Sequence, residues 1–205
     1  MTPPEPQVDP LAGRVVRFDE LDGHGTPLMF IDSVLPQGLR MNYALVGDVA
    51  SENPDYEVLV KGDHTFQIAM FMNAPGCGPT WHTHDYVEAF MPLSGRFRFI
   101  YGHDADGADD PEGEVTLDPW DFISLPAGLW REFRNVSDEM GWVLGVIEAH
   151  IVFEGIDPYW SEATKREARE HGVESDERGR MIKPANYDQL VAELSQRLPF
   201  TPRPR

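Results

Sequence analysis

Within Trp81-His82-Thr83-His84-Asp85-Tyr86-Val87-Glu88, the imidazoles of His82 and His84 and the carboxylate of Glu88 are groups that bind metal ions. Side chains two apart on a strand project to the same face, so His82 and His84 can direct ring nitrogens at one point, and Glu88 has the same parity. Together they make a mixed nitrogen and oxygen donor set. Such a set suits iron(II), manganese, nickel or zinc better than calcium or magnesium. Its chemistry would be redox activation of a small molecule or Lewis-acid polarisation of one. A bare His-x-His pair is equally what two surface histidines present, so the residues around it must decide.

Those residues give the spacing Gly76-x5-His82-x-His84-x3-Glu88-x6-Gly95. At every fixed position it resembles the first signature of the cupin superfamily. The second signature of that family has its counterpart between Trp120 and Asn135, where Pro126, Gly128 and Asn135 match. Two positions depart from it. Trp120 stands in place of the leading glycine, although Asp121 is similar to the acidic residue that often follows it, and Arg131 stands where a fourth ligand, a histidine, is expected. The resemblance implies an all-β fold, a cupin-type double-stranded β-helix (jelly-roll) barrel. It also implies one divalent metal ion, a small-molecule substrate and a homodimer.

A guanidinium has no lone pair to give a metal. The site therefore offers three protein ligands, His82, His84 and Glu88, or else Arg131 pairs with Glu88 in a metal-free pocket. Three ligands with open positions are the pattern of oxygen-activating iron enzymes, so iron(II) is favoured over manganese, nickel or zinc. The reaction expected is that of a metal-dependent oxidoreductase, a dioxygenase acting on a small aromatic or carboxylated substrate. The alternatives are a metal-dependent isomerase, cyclase or lyase, and a non-catalytic small-molecule-binding cupin. Two further residues are candidates for direct roles. Arg131, of inward parity with Phe133, could grip a substrate carboxylate or phenolate, and Tyr86 could donate a proton.

Other residues carry weaker signals. Glu132 is a tempting substitute ligand but faces away on a regular strand, while His150 shares a face with Glu148 at the end of an apolar run. Cys77, between two glycines, would be reactive only with a depressed pKa. Trp81, Phe90, Met91, Phe97, Phe99, Phe133 and Trp142 suit either a pocket for a flat ligand or an ordinary core. His24, His64, His103 and His171 sit in polar settings and read as surface residues.

The elements that must position the site follow from pattern. From about Arg14 to Ala149 short runs of Val, Ile, Phe, Leu and Tyr alternate with Gly, Pro, Asp and Asn, the rhythm of a barrel. Phe97, Phe99 and Tyr101 alternate with Arg98 and Arg96, predicting a strand with one buried face, and Gly102 to Gly113 predicts a long hairpin loop. Asp157-Pro158 reads as the start of a helix over 158–171, stopped by Gly172. Asn186 to Gln189 resembles a capping box before a second helix carrying Leu190, Val191, Leu194 and Leu198. These divisions give a Pro-rich arm over 1–13, a barrel over 14–156 and a helical extension over 157–205.

Composition narrows the partners. With 17 basic against 35 acidic residues the net charge is −18, which repels a phosphate backbone and makes nucleic acid an unsuitable partner. Arg203 and Arg205 are too few to anchor a membrane. A single cysteine permits no internal disulfide, and the start of the chain has neither the basic nor the apolar segment of a secretory signal. The expected location is cytoplasmic.

Overall fold

The computed structural model describes residues 11–47, 51–148 and 157–201. Two five-stranded antiparallel sheets face each other. The strands are β1 (Arg40–Val46), β2 (Phe66–Asn73), β3 (His82–Thr83), β4 (Glu88–Ser94), β5 (Phe97–Gly102), β6 (Gly113–Leu117), β7 (Ile123–Leu125), β8 (Trp130–Asn135), β9 (Gly141–Glu148) and β10 (Tyr159–Trp160). The first sheet runs β1-β2-β9-β4-β7 and the second β10-β3-β8-β5-β6. This is the all-β jelly roll expected, with two helices, α1 (Glu162–Glu170) and α2 (Tyr187–Arg197), after it.

Between the sheets Phe133 is the centre of an aromatic core, 5.1 Å from Phe90, 5.8 Å from Phe97 and 4.8 Å from Phe99 between ring centroids. These rings fill the barrel. Of the seven aromatic and Met candidates for a ligand pocket, Phe90 alone reaches the cavity described below. The first sheet is covered on its outer face as well. Ala69 and Phe71 of β2 point inward, while Met70 and Met72 point outward with Trp142 against Leu194 and Leu198 at the end of α2. Burial on both faces explains why Ile68-Ala69-Met70-Phe71-Met72 is a continuous apolar run without alternation.

The first helix starts later than the sequence expectation, and the second starts after Asn186 as expected but without the expected side-chain cap. Asp157-Pro158 does not open α1, because Tyr159 and Trp160 are held as a strand against Thr83 and His82. The helix begins after Ser161, whose hydroxyl accepts the amide of Thr164 at 3.0 Å. A serine that satisfies an orphan N–H is a stronger start than an aspartate whose carboxylate is engaged elsewhere. Asn186 precedes α2 without a side-chain cap, so the capping box is not formed. The Pro-rich arm up to residue 10, His150 and the terminal arginines lie outside the described residues.

The two signature positions that frame the corners behave in opposite ways. Gly95, between β4 and β5, has φ of 76°, a conformation that glycine adopts without penalty. Trp120 has the same φ of 76°, and is the one non-glycine among the described residues with positive φ. Its amide donates to the Pro92 carbonyl at 2.8 Å and its ring is 72% exposed, so packing gives little in return for the strain. Left-handed backbone costs a side-chain-bearing residue roughly 1–2 kcal/mol, partly offset by the entropy glycine loses on folding. Trp120→Gly is expected to raise stability by about 1 kcal/mol, or roughly 2–4 °C in Tm. A lower Tm would mean that the exposed indole stabilises the corner after all.

Candidate metal centre

His82 is placed by register. It pairs with Trp160 of β10 on one side and with Arg131 of β8 on the other. The chain then leaves the second sheet through residues 84–87 and enters the first at Glu88, opposite Leu125 and Ile147. The three candidate ligands therefore come from a strand, the turn after it and the first residue of a strand in the facing sheet. Common parity on one strand is not what unites them. All are buried, and one ligand atom from each lies within 4.8 Å of the others, a group that could hold a metal ion.

Each imidazole has one nitrogen occupied. Nδ1 of His82 lies 2.6 Å from the Thr80 carbonyl oxygen, and Nδ1 of His84 lies 2.6 Å from Oδ1 of Asp157. Both partners are acceptors, so the ring proton belongs on Nδ1 and the lone pair on Nε2 is left for a ligand. Nε2 of His84 is 3.8 Å from Oε2 of Glu88. Burial first, then the charges of His84 and Arg131, hold His82 well below the usual imidazole range, which keeps it in the neutral form that coordinates.

Behind His84, the Tyr86 hydroxyl donates to Oδ2 of Asp157 at 2.8 Å, and its ring stacks on the imidazole at 4.7 Å. Burial, with Asp157 and Glu88 nearby, pushes the phenol well up, so it stays a donor. Asp157 thus sets the tautomer and the orientation of His84 from 73 residues away, and the sequence reading missed it. The only sequence signal was a carboxylate next to proline, which is also a common helix start. Removing an outer partner of a ligating histidine typically weakens metal binding 10–100-fold. Asp157→Ala is expected to do so in a chelator competition assay, and unchanged affinity would rule out this supporting role.

Arg131 is fully buried. Its Nη2 donates to Oε2 of Glu88 at 3.2 Å and its Nη1 to the Leu129 carbonyl at 2.8 Å and the Thr83 hydroxyl at 3.3 Å, while Nε has no partner among the described residues. The inward direction expected from its parity with Phe133 is observed, since Arg131, Phe133 and Asn135 are the buried members of β8.

Leu28, Phe71, Phe90, Ile147, Trp160 and Arg40 line a narrow cavity with His82, His84 and Glu88. Its volume is about 30 Å³, room for a ligand of a few atoms. Neither Arg131 nor Tyr86 is among its lining residues. Their hydrogen bonds go to Glu88 and Asp157 instead. Glu132 faces away as anticipated, pairing with Arg134 at 3.1 Å in an outer groove beside α1. Cys77 is buried with its thiol 3.4 Å from the Pro36 carbonyl, and burial pushes its pKa up, which removes it as a nucleophile. Among the histidines read as surface residues, His64 is half-buried, with Nδ1 buried and without a hydrogen-bond partner among the described residues.

Among curated proteins none matches the sequence. Similar solved structures include Rru_A2000 from Rhodospirillum rubrum, a cupin-2 domain, at 20% identity over 63% of this chain and 72% of that one, TM-score 0.42. KdgF from Halomonas sp. is 12% identical over 66% of this chain and 94% of its own, TM-score 0.44. A structure from work on the DMSP lyases RdDddP and RnDddQII is 18% identical over 60% of this chain and 53% of that one, TM-score 0.44. Residues 69–147, which contain all three candidate ligands and Arg131, match the family described as Cupin domain. That segment is thus similar to a cupin domain, and it lies within the two facing antiparallel sheets.

Proposed function

We propose that the protein is a metal-dependent cupin enzyme, an iron(II) dioxygenase acting on a small substrate, with His82, His84 and Glu88 as the protein ligands. The observation that carries the reading is the division of labour on the imidazoles. Both Nδ1 atoms are held by acceptors, while neither Nε2 makes a hydrogen bond among the described residues and that of His84 lies 3.8 Å from the buried Glu88 carboxylate. Two imidazoles and one carboxylate with open positions are the donor set of oxygen-activating iron sites. Iron bound there would supply the electron chemistry toward dioxygen that amino-acid side chains lack.

The chain's own residues do the rest. Thr80 and Asp157 aim the two rings, and Tyr86 steadies Asp157 through its hydroxyl. Arg131 fixes one oxygen of Glu88, so it acts as a positioning residue for a ligand, and the substrate-anchoring role expected of it passes to the cavity wall. Leu28, Phe71, Phe90 and Ile147 keep the cavity apolar around the polar cluster, which strengthens every charge interaction inside it.

The test is elemental analysis of the purified and iron-reconstituted protein, followed by oxygen-electrode measurements with catechols, diketones and hydroxy acids. One metal per chain, lost in His82→Ala, with oxygen uptake for at least one substrate is the expected result. Metal retained in His82→Ala would overturn the ligand set. Bound metal without any oxygen uptake would replace the dioxygenase by Lewis-acid chemistry at the same centre, an isomerase, cyclase or lyase.

A further inference from the structure

Among the residues that line the cavity, Arg40 has no role in holding the metal ligands. It is the first residue of β1 and is 6% exposed. Parity places Arg40, Asn42 and Ala44 on the inner face of that strand, the side on which Ala44 joins the barrel core. Nε of Arg40 donates to Oδ2 of Asp32 at 2.9 Å, and Asn42 supports the same oxygen at 3.4 Å. The guanidinium lies over the Phe71 ring, 5.6 Å from its centroid. Among the described residues neither Nη1 nor Nη2 makes a hydrogen bond.

The contrast with Arg131 is informative. Arg131 has both Nη atoms committed to protein acceptors and is absent from the cavity wall, whereas Arg40 is anchored through Nε and Phe71 and contributes to that wall. A guanidinium held by one edge presents the paired N–H groups of its other edge, the geometry that grips a carboxylate through two parallel hydrogen bonds. The two Nη atoms of Arg40 are not sealed in the interior, so they stay open to a partner that arrives through the cavity, whether ligand or solvent. The whole protein carries a net charge of −18, so an anionic substrate is not drawn in by the overall field. Its recognition must be local, and this guanidinium supplies it.

We propose that Arg40 is the substrate-recognition residue of the cavity and that the substrate is a small carboxylate, held by Nη1 and Nη2 while its reacting end faces His82, His84 and Glu88. The inference rests on reading this cavity as the active site, and it replaces the broader class of aromatic or carboxylated molecules with carboxylates alone. Asp32 is the positioning partner that holds the fork in place. The narrow volume favours ligands of a few heavy atoms.

The experiment is calorimetric titration of the full chain, metal-free and iron(II)-loaded under nitrogen, with acetate, pyruvate and oxalate and with the neutral amides acetamide and pyruvamide. The wild-type protein is expected to bind at least one carboxylate ten-fold or more tightly than its amide. In Arg40→Met combined with Asp32→Asn, which removes the buried charge pair together, that preference is expected to vanish while metal stoichiometry stays unchanged. Arg40→Lys keeps the charge without the fork and is expected to weaken carboxylate binding about ten-fold, so it decides the matter if the double variant does not fold. Equal binding of carboxylate and amide, unchanged affinity in Arg40→Lys, or no carboxylate binding to wild type would each overturn the inference. Failure of the metal assignment is seen separately, as absence of stoichiometric iron, and the metal-free titration then still tests Arg40.

Discussion

Glu88→Ala is expected to abolish metal uptake on reconstitution and, in the metal-free protein, to lower stability by about 3–5 kcal/mol, while adding Arg131→Met restores the stability but not the uptake. Arg131 is 0% exposed and has Glu88 as its one anionic partner among the described residues. Deleting the partner of a buried charge leaves that charge uncompensated, which costs far more than the net worth of the pair. Exchanging the arginine as well for a flexible apolar side chain of similar length removes the stranded charge, and such replacements are often neutral or better. The unpartnered Nε of Arg131 adds to that expectation, since a methionine leaves no donor unsatisfied.

Metal uptake is not restored, because neither substitution returns a carboxylate beside His82 and His84. Denaturant unfolding in chelator and elemental analysis of each variant read stability and uptake independently. At this chain length the single substitution corresponds to a loss of roughly 10 °C in Tm. A single variant as stable as wild type would mean that Arg131 finds its compensation in Leu129 and Thr83 alone.

The clustering of the three candidate ligands was legible because it is local: three residues within seven positions, inside a spacing that resembles a known signature. The strand Phe97–Gly102 was legible for the same reason, since its alternation matches burial of Phe97 and Phe99. Asp157 and Arg40 were not. Asp157 meets His84 only because β10 pairs with β3, and Arg40 reaches the cavity only because β1 closes one edge of the first sheet. Such meetings depend on register and sheet order, which a local pattern does not contain. The misplaced start of α1 has the same origin. Asp157 satisfies the local rule for a helix start, but a distant histidine takes its carboxylate and Ser161 takes over the cap. A sharper reading of β1 would have noticed that Arg40 and Asn42 share the inward parity of Ala44, an arginine and an amide where a core strand should be apolar.

A different buried carboxylate sets the expected dependence of stability on pH. Glu52 is 5% exposed and joins three distant segments: its Oε1 accepts the indole N–H of Trp160 at 2.8 Å and the amide of Met181 at 3.1 Å, and its Oε2 accepts the amide of Phe30 at 3.4 Å. No cation among the described residues pairs with it. Burial pushes its pKa from the ordinary 4.5 up to about 7, against the opposing pull of those hydrogen bonds. Because the folded value lies above the unfolded one, its favourable contribution is complete below about pH 4.5 and is lost as pH rises to 7. Over that window the unfolded chain releases its proton while the folded one retains it. At roughly 1.4 kcal/mol per pH unit this amounts to about 3 kcal/mol. Glu52→Gln keeps an acceptor for Trp160 and Met181 without an ionisable group, so its unfolding free energy should fall less between pH 4.5 and 8 than that of wild type, by about that amount. The difference between the two slopes isolates Glu52 from Asp32 and Glu132, whose carboxyls burial also raises and which both proteins share. Parallel slopes would place the Glu52 proton in equal measure on the folded and unfolded chains, and the anchoring of Trp160 beside His82 would then be insensitive to pH.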